Sequence, residues 1–142
     1  MKITFLVPVK TKNASNFGRA NSRFAAMAMA REEALVRNDT LTHVRAALAQ
    51  SRLSGADLVP CRVTLERLST SRLDDDGIAN ACKRVRDSIA KALGVDDGGP
   101  FIRFEYENRK CRRGEFGVLV TIERVAVAEK RLKLFPGEER TR

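Results

Sequence analysis

The chain of 142 residues carries 27 lysines and arginines against 18 aspartates and glutamates, which gives a formal net charge of +9 at pH 7. Its 43% of hydrophobic residues predicts one globular domain over residues 1–142, and no apolar run approaches the ~20 residues of a membrane span. The N-terminus lacks a signal-peptide cleavage site, and three scattered cysteines with one histidine argue against structural zinc. We expect a cytoplasmic protein with no membrane partner.

The excess of positive charge favours a polyanionic partner, with nucleic acid ahead of an anionic membrane. Aromatic residues make up only 6% of the chain and tryptophan is absent, which disfavours a base-stacking platform for single strands. The composition therefore favours contact with the phosphate backbone of a duplex.

The first half of the sequence predicts a strand, a polar loop and helix. Residues 2–9 are β-branched and apolar and predict a strand that ends near a proline, and residues 10–23 form a polar loop. Residues 21–50 are rich in alanine and predict helix. The sequence "RNDT" at 37–40 is typical of a helix break with a new N-cap, so we expect two helices or one kinked helix.

The second half begins with a strand and an amphipathic helix. Residues 60–68 alternate, with Cys61, Val63 and Leu65 on the side that faces the core. Residues 77–93 place apolar side chains at helical spacing. We expect Asp76 to be the N-cap of this helix and Gly94 to end it.

Two further strands and a tail complete the predicted domain. Residues 101–107 alternate with Ile102 facing inward, residues 108–114 form a basic turn at a hairpin tip, and residues 116–122 form the returning strand. Residues 123–142 are a C-terminal extension for which the pattern indicates no clear structure. The predicted fold is α/β (α+β): a small mixed sheet with helices packed on it, in the order β-α(α)-β-α-β-β.

Three consecutive aspartates, Asp74, Asp75 and Asp76, precede the amphipathic helix of a strongly basic chain. Helix capping explains one of them, but three are more than a cap requires. A calcium loop is excluded because Arg72 and Lys83 would occupy its first and twelfth positions, where acids are needed. A divalent-metal site for phosphoryl chemistry is the remaining alternative to capping.

The metal alternative needs a further acid from another part of the chain. Asp74 and Asp76 lie two apart and project from the same side of an extended segment, and Asp96 or Asp97 could join them. Mg²⁺ is bound in proteins by a few carboxylates together with water and substrate phosphate. The spacing leaves this site and helix capping both open.

Lys83 lies on the polar face of the predicted helix, near enough to lean back towards the acids. A lysine beside metal-bound carboxylates suits a scissile phosphate, because it neutralises charge that develops in the transition state. The alternative is a surface salt bridge with Asp87, four residues later. The two roles are compatible.

Residues 73–98, "LDDDGIANACKRVRDSIAKALGVDDG", resemble the signature of the RusA family of Holliday-junction resolvases. That signature has an Asp-x-Asp-Asn turn, a helix with a lysine and an aspartate four residues later, and a final pair of aspartates. Gly77 stands where the family usually has asparagine. The residues that match the signature are Asp74, Asp76, Lys83, Asp87, Asp96 and Asp97.

The resemblance implies a homodimeric endonuclease that cuts branched double-stranded DNA with Mg²⁺ or Mn²⁺ and no small-molecule cofactor. It assigns Asp74, Asp76 and Asp97 to metal binding and catalysis, and Lys83 to transition-state stabilisation. The alternatives are a non-hydrolytic basic DNA-binding protein whose aspartates only cap helices, and a basic protein-interaction module.

A straight helix over 77–93 is about 26 Å long, so Asp76 and Asp97 would begin at its opposite ends. Either the chain doubles back after Gly94, or antiparallel helices of a dimer bring Asp97 of one subunit to Asp76 of the other. We expect the dimer arrangement, because a two-fold axis also supplies two active sites for two symmetric cuts.

Two basic segments are candidates for contact with DNA phosphates, although each could also be a solvated turn. One is the first loop and the other is the turn after the third predicted strand. Their residues are Lys10, Lys12, Arg19 and Arg23 in the first, and Arg109, Lys110, Arg112 and Arg113 in the second.

Overall fold

The computed structural model describes residues 1–11 and 23–126, and this part of the chain confirms the predicted mixed fold. Strands and helices follow in the order β-α-α-β-α-α-β-β. The elements are β1 (Lys2–Val7), α1 (Arg23–Gln50), α2 (Gly55–Leu58), β2 (Cys61–Ser69), α3 (Asp75–Ala81), α4 (Lys83–Leu93), β3 (Ile102–Lys110) and β4 (Gly117–Arg124).

The four described strands form one sheet in the order β1-β4-β2-β3. β4 is antiparallel to both β1 and β2, whereas β3 is parallel to β2. The predicted hairpin between the third and fourth strands is therefore wrong, because β2 lies between them. A parallel pair needs a long crossover, and α3 and α4 supply it between β2 and β3.

Alternate residues of every strand face the helices and form one hydrophobic core. The predicted inward residues of β2 are all fully buried, and Ile102 of β3 is 4% exposed, so the predicted alternation is confirmed. Helix residues such as Val44, Val85 and Ile89 complete the same cluster. None of the described helices is both long and apolar enough to cross a bilayer.

α1 is a single helix, and the predicted break at 37–40 is wrong. Thr40 is buried and its hydroxyl donates to the Val36 carbonyl at 2.7 Å. The Thr42 hydroxyl donates in the same way to the Asn38 carbonyl at 2.9 Å. These side chains bond to the turn that precedes them rather than capping a new helix, so the helix continues through the polar stretch.

The predicted helix over 77–93 is divided at Cys82, whose φ of −91° and ψ of 4° separate α3 from α4. The cap of α3 is Asp74 rather than Asp76, because the Gly77 amide donates to Asp74 Oδ1 at 2.7 Å. Gly94 ends α4 with a φ of 75°, as predicted. That left-handed conformation favours glycine because it lacks a Cβ.

Candidate metal and DNA site

The three aspartates of the acidic turn, residues 74–76, are exposed. Asp74 is engaged as the N-cap of α3. Among residues 1–11 and 23–126, no lysine or arginine lies within 4.0 Å of the carboxylates of Asp74, Asp75 or Asp76. Capping accounts for one acid, and the described chain supplies no partner cation for the other two.

Asp97 lies beside the beginning of α4, not beyond its far end. Its Oδ2 is 3.3 Å from the Nε of Arg86, which also lies 3.7 Å from Asp87 Oδ1. Arg86 in turn donates to the Tyr106 hydroxyl at 3.2 Å. The chain therefore doubles back after Gly94, which is one of the two alternatives expected, and the helix is not straight because it is divided at Cys82. The dimer arrangement stays a prediction.

Asp87 and Asp97 form a hydrogen-bonded pair of carboxyl groups. Burial, together with this bond and the negative charge of Asp97, raises the pKa of Asp87 above its ordinary value. The same bond, aided by Arg86, lowers the pKa of Asp97. The two carboxyl groups therefore shift each other's pKa in opposite directions, and Asp97 is the more readily ionised of the two.

Both acidic groups are attached to the same strand. Tyr106 holds Arg86 and hence Asp97, and Asn108 bonds to the backbone of Leu73, the residue before the acidic turn. Tyr106 and Asn108 are two residues apart on one face of β3, which is about 6.7 Å along a strand. The acidic turn and Arg86, which contacts Asp97, are thus bonded to neighbouring positions of β3.

The acids nevertheless remain two groups in this conformation. Within the described ranges, no set of three or more His, Cys, Asp or Glu residues is arranged to hold a metal ion. The structure therefore does not gather the predicted ligands Asp74, Asp76 and Asp97 into one cluster. It joins Asp97 to Asp87, which matches the family signature and was expected only as a salt-bridge partner of Lys83.

Lys83 is the exposed first residue of α4. Its positive charge acts on Asp87, whose pKa it lowers against the stronger effect of burial. No salt bridge within 4.0 Å joins Lys83 to a described acid. The ammonium group therefore lies near the Asp87–Asp97 pair and remains available to a phosphate.

Five of the candidate DNA-contact residues, Lys10, Arg109, Lys110, Arg112 and Arg113, lie at the end of the sheet where β2 and β3 terminate. Lys10 Nζ lies 5.2 Å from the centre of the Phe116 ring. This contact links the segment after β1 to the turn before β4. Arg112 and Arg113 are exposed in that turn. Arg109 and Lys110 belong to β3 rather than to a hairpin tip, and Arg23 begins α1. Lys12 and Arg19 lie outside the described residues.

Three site residues escaped the sequence analysis: Arg67, Arg86 and Asn108. Arg86 lies within the predicted helix 77–93, where nothing marked it out, and Asn108 lies at the beginning of the predicted basic turn 108–114. Arg67 lies two residues after Leu65 on β2, so the alternation of the strand predicts that its side chain faces the core. An arginine at a core-facing position is the one sequence feature that could have identified it.

The comparisons with known proteins leave the family open. A scan against protein-family models finds no match for this chain, and a search of curated proteins finds no relative. The likeness of residues 73–98 to the RusA signature thus remains a hypothesis that depends on the residues themselves.

Proposed function

We propose that this protein is a metal-dependent endonuclease of the RusA type, which hydrolyses phosphodiester bonds in branched DNA such as four-way junctions. The observation that carries the proposal is the attachment of the acidic turn and Asp97 to neighbouring positions of β3, at the end of the sheet where the exposed arginines of residues 109–113 lie. Basic side chains would hold the DNA backbone where carboxylates can receive a divalent ion. A cytoplasmic, nucleoid-associated location suits this role.

The chemistry of the acids fits Mg²⁺ or Mn²⁺. Asp75 and Asp76 are exposed carboxylates with no described counter-cation, and the bond to Asp87 together with the charge of Arg86 lowers the pKa of the Asp97 carboxyl. When bound, such an ion would activate water and neutralise charge on the scissile phosphate. We assign Asp74, Asp76 and Asp97 to metal binding, with substrate phosphate and water completing the coordination.

Lys83 would support the same reaction from the first turn of α4. Its ammonium lies on the side of Asp87 and is free to approach a phosphate oxygen. A point charge near that oxygen stabilises the transition state more than the ground state, because negative charge increases during attack.

A homodimer is part of the proposal, because two symmetric incisions in a four-way junction call for two active sites related by a two-fold axis. Within the described chain Asp97 contacts Arg86 and not Asp74 or Asp76, so its contribution across the two-fold axis stays part of the proposal. Sedimentation of the protein with and without a junction tests the dimer, and a monomer in both would contradict it.

The test is cleavage of a synthetic four-way junction with Mg²⁺, using a linear duplex of the same length for comparison. We expect wild type to nick the junction, Asp76→Asn to lose at least a hundredfold in rate, and Asp39→Asn to retain it. Asp39 is a matched control because it is an exposed acid on α1. Metal-independent nicking, or full activity of Asp76→Asn, would contradict the proposal.

One observation favours a second candidate, a non-hydrolytic basic DNA-binding protein. Asp74 does cap α3, and Asp97 already has a cationic partner in Arg86. On this alternative the acids are structural, and the basic end of the sheet alone binds DNA. Tight junction binding by wild type, with no cutting under any divalent metal, would favour it.

A further inference from the structure

Two side chains on neighbouring strands reach the segment that leads into the acidic turn. Arg67 of β2 and Asn108 of β3 are opposite each other in the sheet register. Arg67 Nη1 donates to the Ser71 carbonyl at 2.9 Å, and Asn108 bonds to Leu73. The backbone between Ser71 and Leu73 is therefore fastened to two adjacent strands immediately before Asp74.

Asn108 uses both halves of its amide on one residue. Its Oδ1 accepts from the Leu73 amide at 3.2 Å, and its Nδ2 donates to the Leu73 carbonyl at 2.9 Å. Bonds to both the N–H and the C=O of one residue fix the orientation of its backbone as well as its position, as a strand neighbour would. A purely apolar side chain at this position could pack against Leu73 but could not orient it.

Arg67 is a buried cation whose partners are neutral. The residue is only 7% exposed, and burial lowers the pKa of its guanidinium. Its Nε donates to Thr11 Oγ1 at 2.8 Å, in addition to the bond to Ser71. Burial of an arginine without a carboxylate is costly, so packing alone does not account for the position of Arg67. Arg67 instead links Thr11, in the segment after β1, to Ser71, in the segment that leads into the acidic turn.

We propose that Arg67 and Asn108 are positioning residues, which set the place and direction of the acidic turn so that Asp74 and Asp76 can receive a divalent ion. This inference rests on the proposed nuclease function for its consequence, but the positioning itself is a property of the fold. Neither side chain needs to touch metal or DNA. Asn108 is the sharper of the two to test, because both of its described bonds go to one residue.

The experiment compares wild type with Asn108→Leu, which keeps a similar volume but forms neither bond, and with Asn108→Gln as the conservative variant. Glu105→Gln is the control, since Glu105 lies on the opposite face of the same strand. The first readout is hydrogen exchange of the Gly77 amide, which bonds to Asp74, with a buried β4 amide such as that of Val120 as reference.

We expect Gly77 exchange to accelerate about tenfold in Asn108→Leu and to change little in Asn108→Gln and Glu105→Gln, with Val120 unaffected. The second readout is the Mn²⁺ concentration for half-maximal junction cleavage. It should rise about tenfold in Asn108→Leu, with the rate at saturating Mn²⁺ and junction binding without metal largely retained. If Asn108 only stabilised the fold as a whole, its loss would change the Mn²⁺ requirement, the maximal rate and junction binding together.

The outcomes distinguish the two proposals. Unchanged Gly77 exchange in Asn108→Leu overturns the positioning role, whatever the activity. Faster exchange with a wild type that neither cleaves nor responds to Mn²⁺ supports positioning and contradicts the nuclease. Faster exchange with an unchanged Mn²⁺ requirement shows that metal binding does not depend on the turn and also overturns the inference. If Asn108→Leu does not fold, Asn108→Ser, which retains one bonding group, is measured in the same way.

Discussion

Replacing Asp87 by asparagine should stabilise the protein at alkaline pH and leave its stability unchanged in acid. In wild type the carboxyl groups of Asp87 and Asp97 are in contact, and burial first, then the bond to Asp97, raises the pKa of Asp87. As the pH rises through that raised value, the folded state must place a second negative charge beside the first. An amide at position 87 would keep the hydrogen bond to Asp97 and remove this repulsion.

The size of the effect follows from the exposure of the pair. The two side chains are 34% and 35% exposed, so water screens much of their interaction. Two unit charges ~4 Å apart in water repel by about 1 kcal/mol. For a chain of this length, 1 kcal/mol corresponds to about 3–5 °C in the melting temperature. The variant should therefore melt that much higher than wild type at pH 8.

The assay is a series of thermal melts between pH 4 and pH 8, with Asp39→Asn as a control at an exposed site on α1. The stabilising contribution of Asp97, whose pKa is lowered, is lost in both proteins as the pH falls through that lowered value, so it cancels from the comparison. MgCl₂ should reduce the difference in melting temperature between the variant and wild type at pH 8, because Mg²⁺ would neutralise the charge of Asp87 and Asp97 in wild type. A variant that is destabilised equally at pH 4 and pH 8 would refute the reasoning.

Three further predictions concern the surface, the thiols and the packing of α2. Double substitution of Arg112 and Arg113 by glutamate should reduce the salt slope of junction binding by about two, and an unchanged slope would remove this turn from the DNA interface. Only Cys111 should react with a thiol reagent in the native protein, with all three cysteines reacting after unfolding, because the other two are buried. Gly55→Ala should destabilise the protein by about 1–3 kcal/mol in urea unfolding, since a Cβ there would lie 2.7 Å from the Leu93 carbonyl oxygen.

The elements that the sequence predicts correctly are those whose signals are local. The alternation of Cys61, Val63 and Leu65 requires only a strand with one buried face, and Gly94 marks a helix end by its own backbone freedom. The break predicted near Thr40 was wrong for an equally local reason. Its hydroxyl can cap a new helix or bond back within the existing one, and tertiary burial decides in favour of the second.

The site depends on relations that no short window contains. That Asp97 returns to Arg86 follows from the turn after Gly94, and that β2 separates β3 from β4 follows from the crossover of α3 and α4. Asn108 has no recognisable motif, because its role arises only when β3 is laid beside the approach to α3. Spacing indicated which acids to consider but not which of them would meet.

The pairing of β1 with β4 has a consequence for synthesis on the ribosome. Lys2 pairs with Glu123 and Val7 with Val118, so the first of the described strands to be translated is hydrogen-bonded to the last of them. At ordinary rates of translation the nascent β1 waits on the order of ten seconds for that partner. Its apolar residues must stay protected from other chains during that interval, and a product truncated before β4 would never complete the sheet.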